Sequence, residues 1–176
     1  MRRGLIAALL TFQAGWLVAA LGAAAGHPLL AAAGPLGSAA LTLAVLDQRR
    51  QAIAAMLAGG LIGLGGESLL MWLGLVAFAA PGPLAGLAPA WIVALWIAFA
   101  PLSGATLTWL AWRPGLAAGF GVLLAPPTYL AGAALGALAL SEPRWVSLLS
   151  IGVLWALAMP LLARIGAPPP VAGDRP

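Results

Sequence analysis

The feature that most constrains this chain is a set of six long apolar runs, divided by short turns and a few arginines. A helix of about 18 or more uncharged residues, rising ~1.5 Å per residue, can cross a ~30 Å hydrocarbon core. The runs cover residues 4–24, 28–46, 52–78, 90–112, 115–139 and 145–162. Only 7% of the residues are charged and 63% are hydrophobic, which leaves too little polar surface for a domain bathed in water. The expected fold is therefore all-α: a polytopic integral membrane protein with six transmembrane helices in one domain over residues 1–164. Residues 165–176, rich in proline, are expected to form a disordered cytoplasmic tail.

The charges orient this arrangement. With six spans, Arg2, Arg3, Arg49, Arg50, Arg113, Arg164 and Arg175 all fall on one side, and Arg144 falls on the other beside Glu142. The positive-inside rule makes the first side cytoplasmic, so both termini are expected inside. Arginines placed singly or in pairs at the ends of apolar runs mark topology; they form no basic face, and no nucleic-acid partner is expected. The first run is longer than the roughly 7–15 residue apolar core of a secretory signal, so it is read as an uncleaved span.

Proline and glycine punctuate the runs. The third run exceeds the core thickness and is expected to tilt or bend at Gly65-Gly66. Pro101 is expected to kink the fourth span, and Pro126-Pro127 to break the fifth, because proline lacks a backbone donor and clashes with the preceding turn. Residues 79–89 have the composition of a non-helical connection along the interface. Trp91, Trp109, Trp112 and Trp145 lie near run ends, where indole rings favour headgroup depth.

One residue poses a chemical question. Glu67 lies deep in the third run with no arginine at its depth, so it must be protonated, hydrogen-bonded or turned toward a polar cavity. Gln13, Ser38, Ser68, Ser103, Thr106, Thr128 and Tyr129 fall at similar depth, and carbonyls freed at the prolines would join them in a central pocket. The neutral acid could donate to Tyr129, Gln13 or a freed carbonyl. For Ser38, Ser103 and Thr106 the ordinary reading is interhelical hydrogen bonding worth ~0.6 kcal/mol per contact. Glu67 carries two readings, a purely structural buried acid and a group that handles protons or binds a ligand. The candidate ligand-binding or proton-handling residues are thus Glu67, Tyr129, Gln13, Ser103 and Thr128.

Much chemistry is excluded by composition. Without cysteine there is no thiolate, and one histidine with four scattered acids makes no metal-ligand set, so neither metal nor cofactor is expected. No nucleophile elbow, zinc motif, phosphate loop or dinucleotide fingerprint occurs, and an enzyme is the last-ranked reading. Gly59 with Gly63, Gly22 with Gly26, Gly115 with Gly119, and Gly132 with Gly136 have GxxxG spacing. Packing within the chain is their default role; association with other membrane proteins or a second copy through these faces is the alternative.

Three segments together resemble a known family: Leu95-Trp96-Ile97-Ala98-Phe99-Ala100, Trp109-Leu110, and Pro126-Pro127-Thr128-Tyr129-Leu130-Ala131-Gly132 followed by Leu135-Gly136-Ala137. With an acid in the long third span, this order is similar to the uncharacterised bacterial inner-membrane family numbered 2878 among domains of unknown function. The likeness runs from about Ala14 to Leu162. It departs in carrying Glu67 where the family usually has Asp, and Leu124-Ala125 where the family usually has a Gly-Gly pair. The resemblance implies a multi-pass protein of the bacterial inner membrane. The family's association with fatty-acid-modifying genes implies an accessory or small-ligand-binding role in membrane-lipid metabolism, with membrane lipids as partners. The rival expectation is a proton-coupled transporter or substrate-binding membrane subunit that uses Glu67.

Overall fold

In a computed structural model, residues 2–82 and 84–167 are described, with Arg2 and Arg3 described in backbone alone. Within them the chain forms six α-helices: α1 (Arg2–Ala24), α2 (Pro28–Val45), α3 (Arg49–Trp72), α4 (Ala90–Thr106), α5 (Pro114–Ala134) and α6 (Arg144–Gly166). Five are long and apolar enough to cross a membrane, and α4, at 17 residues, is the shorter apolar one. The span boundaries shift accordingly. The third helix stops at Trp72, not Phe78, and the fourth gives way to a 3₁₀ turn at Thr108–Leu110 before Trp112. The last helix extends to Gly166, so residues 165 and 166 are helical, not tail; residues 168–176 lie outside the described segments.

One expectation about proline is corrected: α5 runs unbroken through Pro126 and Pro127. α4 likewise continues as helix through Pro101. Nearby hydroxyls bond back to their own helices: Ser103 donates to the Ala100 carbonyl, Thr106 to Leu102, and Thr128 to Ala125. Such local bonds occupy hydroxyls that would otherwise cross to a neighbour.

α4 is the hub. It packs against α1, α2, α3 and α6, and its buried residues occur on every side of the helix, as an all-round apolar helix requires. Sequential helices form three hairpins, α1 with α2, α3 with α4, and α5 with α6. Glycine sets how closely they approach. A Cβ at Gly59 would lie 2.7 Å from the Trp96 carbonyl, and one at Gly63 would meet the Trp96 ring. The Gly59/Gly63 pair is therefore filled by α4 of the same chain. Nothing lies within 4 Å of such a Cβ at Gly115 or Gly119.

The ends of α1, α3 and α5 share one device. Gly26, Gly74 and Gly136 each take positive φ (75°, 68° and 82°), and the next residue donates back to the last turn, as His27 does to the Gly22 carbonyl at 2.8 Å. Glycine at this position turns the chain without the penalty a side chain would bring. After the second and third of these turns come short strands that the sequence reading missed, β1 (Val76–Phe78) and β2 (Leu138–Leu140). They pair antiparallel in a register centred on Ala77 opposite Ala139. The segments leading into them, Leu73-Gly74-Leu75-Val76-Ala77 and Leu135-Gly136-Ala137-Leu138-Ala139, match in pattern, a local repeat also missed. The connection after β1 is non-helical, as expected: Ser68 Oγ accepts from the Ala88 amide at 2.8 Å, and Trp72 Nε1 donates to the Gly86 carbonyl at 3.1 Å.

Candidate functional site

Glu67 is fully buried on α3, five residues before the helix ends and so in the carboxyl-terminal half of the helix. Its Oε1 accepts from Trp96 Nε1 of α4 at 2.9 Å and from the Tyr129 hydroxyl of α5. α3 and α5 make no substantial helix contact, so this bond and the β1–β2 pair are what join them. Glu67 Oε2, equally buried, has no protein partner among the described residues. Gly63, one turn earlier, leaves the space that the Trp96 ring fills, so the α3 sequence both makes room for the indole and supplies its acceptor.

Behind this carboxylate the rings are layered. Trp96 stacks on Trp155 of α6 with centroids 4.2 Å apart, and Phe99 meets Trp155 edge-on at 5.1 Å. Such pairs add ~0.5–1.5 kcal/mol beyond area burial. Trp155 Nε1 is buried and has no acceptor among the described residues.

The far side of this wall faces a cavity of about 440 Å³. It runs beside α4 from Leu107 to Trp91, which at ~1.5 Å per residue is ~24 Å, between α1 and α5. α1 packs on α2 and α4, α5 packs on α6, and the two helices make no substantial contact with each other. Exposed Gln13 of α1 and exposed Leu124, Pro127 and Thr128 of α5 border the opening. Its depth is aromatic. Phe12, Trp16, Trp91, Trp96, Phe99, Phe120, Tyr129 and Trp155 line it, out of 13 aromatic residues in the chain.

The candidate residues thus separate into three places. Tyr129 and Glu67 are bonded together; Gln13 and Thr128 stand at the cavity mouth, and Gln13 does not reach Glu67. Ser103 is buried on α4 away from the cavity, its hydroxyl taken up by its own helix. Trp96 and Trp155 are the site residues that sequence reasoning missed. A signal for Trp96 was present, since Leu-Trp-x-x-Phe lies mid-helix, where a belt tryptophan has no place. Trp91 is likewise no belt residue: it is 2% exposed, edge-on to Phe78, and its Nε1 donates to the Ala80 carbonyl. Trp109, Trp112 and Trp145 are exposed, as belt residues would be. Among the described residues no group of His, Cys, Asp or Glu could hold a metal ion.

Fold and site define a class: an all-helical bundle of membrane-protein character, with a buried carboxylate sealed behind an aromatic cavity that opens between two helices. Residues 5–161 match the model of the family described as Protein of unknown function (DUF2878), and the chain belongs to that family. No curated protein and no solved structure matches it significantly.

Proposed function

We propose that this is a six-span protein of the bacterial inner membrane, both termini cytoplasmic, which binds a small lipid-derived ligand and serves membrane-lipid modification as a non-enzymatic accessory. The observation that carries the binding reading is the ~24 Å apolar cavity with its mouth between α1 and α5. Its volume of about 440 Å³ falls within the range of small-molecule sites, ~300–1,000 Å³. A ligand dissolved in the acyl phase can enter it sideways without crossing water. For the span count, α4 is ~26 Å long, close to the ~30 Å core, and it packs against four of the other helices, so its ends need not meet lipid unaided. The test is to purify the protein and Thr128→Trp, which places an indole at the exposed mouth, and extract bound lipid. We expect one apolar lipid per chain in the parent and about tenfold less in the variant; equal or negligible lipid in both would end the binding reading. The chain has no cysteine, so single cysteines at His27 and Gln48 become the sole thiols for topology labelling from either side.

A second reading rests on Glu67 Oε2, a buried carboxylate oxygen without a partner. Such a group is the kind that a proton-coupled transporter uses. It predicts proton-linked flux in proteoliposomes that Glu67→Gln abolishes; a lipid accessory predicts no flux and an altered fatty-acid profile in a deletion strain.

A further inference from the structure

Two features of the cavity exceed what a saturated lipid tail would require. First, eight of the chain's 13 aromatic side chains gather around one cavity, whereas Leu, Ile and Val dominate its lipid-facing surface. A saturated chain would be accommodated by aliphatic walls as well; indole faces carry negative quadrupole density and favour a flat, electron-poor ring. Second, α1 presents two hydrogen-bonding side chains one turn apart on the cavity side, Gln13 and Trp16. Neither makes a side-chain hydrogen bond to the described residues, and neither is sealed from the cavity, in contrast to Trp155 Nε1. An amide in the middle of an apolar helix is costly to leave unpaired, so a ligand acceptor at this point supplies what the protein does not.

We infer that the cavity takes a planar ring with carbonyl oxygens, carried on an apolar chain: the chemistry of a lipid-soluble quinone. This deepens the reading of the cavity as a lipid-ligand site and rests on it. The ring stacks within the wall formed by Trp96, Phe99, Phe120 and Trp155. A ring carbonyl accepts from the Gln13 amide and from Trp16 Nε1, and the chain follows the slot. Glu67 does not touch this ligand. It holds the Trp96 and Tyr129 rings from behind and is a positioning residue for the aromatic wall.

The experiment is tryptophan-fluorescence quenching of the full chain in nanodiscs, titrated with decylubiquinone as ring-bearing probe and with palmitic acid as saturated competitor. Gln13→Leu and Trp16→Phe are tested alongside; the second keeps an aromatic ring and removes only the N–H. We expect saturable quenching by the quinone, little displacement by palmitic acid, and affinity lowered about fivefold in each variant, as loss of one neutral hydrogen bond implies. Quinone binding that neither variant weakens would overturn the assignment of the α1 donors. Palmitic acid binding in place of the quinone would overturn the ring while leaving the lipid-site reading standing. No saturable binding of either probe would remove both.

Discussion

The seam between α3 and α4 and the gap between α1 and α5 are built from similar sequence and end oppositely. Both involve helices with glycines at GxxxG spacing. At the seam, Gly59 and Gly63 admit the Trp96 backbone and ring to contact distance, and Glu67 then accepts from that indole. On α5, by contrast, Gly115 and Gly119 meet nothing within 4 Å and do not border the gap, where Phe120, Leu124 and Thr128 face Phe12, Gln13 and Trp16 of α1 across a cavity. The difference teaches that GxxxG spacing alone does not say where helices pack: the pair on α3 is filled by an aromatic ring, and the pair on α5 meets nothing in the chain. At the seam α4 brings a tryptophan whose polar tip finds a partner; at the gap α1 brings Gln13 and Trp16, whose side chains make no hydrogen bond among the described residues.

Five substitutions would break or sharpen this contrast. The largest effect belongs to Gly63→Val, which forces a branched side chain into the Trp96 ring. We expect loss of about 3 kcal/mol or more of stability, read as a collapse in thermal melting or failure to purify as a monodisperse species. Next is Glu67→Leu, which leaves Trp96 Nε1 and the Tyr129 hydroxyl buried without an acceptor, at ~1–3 kcal/mol for each orphaned group. Glu67→Gln keeps an acceptor and should cost distinctly less than Glu67→Leu; equal losses would mean that the bonds to Trp96 and Tyr129 are not what the acid provides. Tyr129→Phe removes one donor and one link between α3 and α5, and should lower the melting midpoint by the equivalent of ~1 kcal/mol. The smallest effect is Gly119→Ala, expected within ~0.5 kcal/mol, because its Cβ meets nothing. A large loss there would show that this face is covered in the membrane, by a second copy or another protein.

Much of this architecture was legible in the sequence, for a physical reason: hydrocarbon permits few backbone solutions, so long apolar runs announce helices. The buried acid was legible as well, because a carboxylate with no cation at its depth has to be enclosed. Its partners were only half legible. Tyr129 stood out as the single tyrosine, whereas Trp96 lay in an apolar segment that gives no sign of which neighbouring helix its indole N–H meets. Pro126-Pro127 misled, because neighbouring backbone bonds carry α5 past the missing donors without ending it. The β1–β2 pair was hidden inside the apolar runs, since Leu-Gly-x-x-Ala-x reads equally as helix until two copies are set side by side. Ser103 was grouped by depth alone, and depth says nothing about which side of a helix a hydroxyl occupies.

The small antiparallel clasp at Ala77 and Ala139 has a mechanical consequence. It rivets the far end of α5 to the α3 hairpin, while the near end of α5 is seated on α6. α1 has no such rivet, being held by α2 and α4 along its length. Across the slot, then, one jamb is stitched by backbone bonds and the other rests on side-chain packing alone.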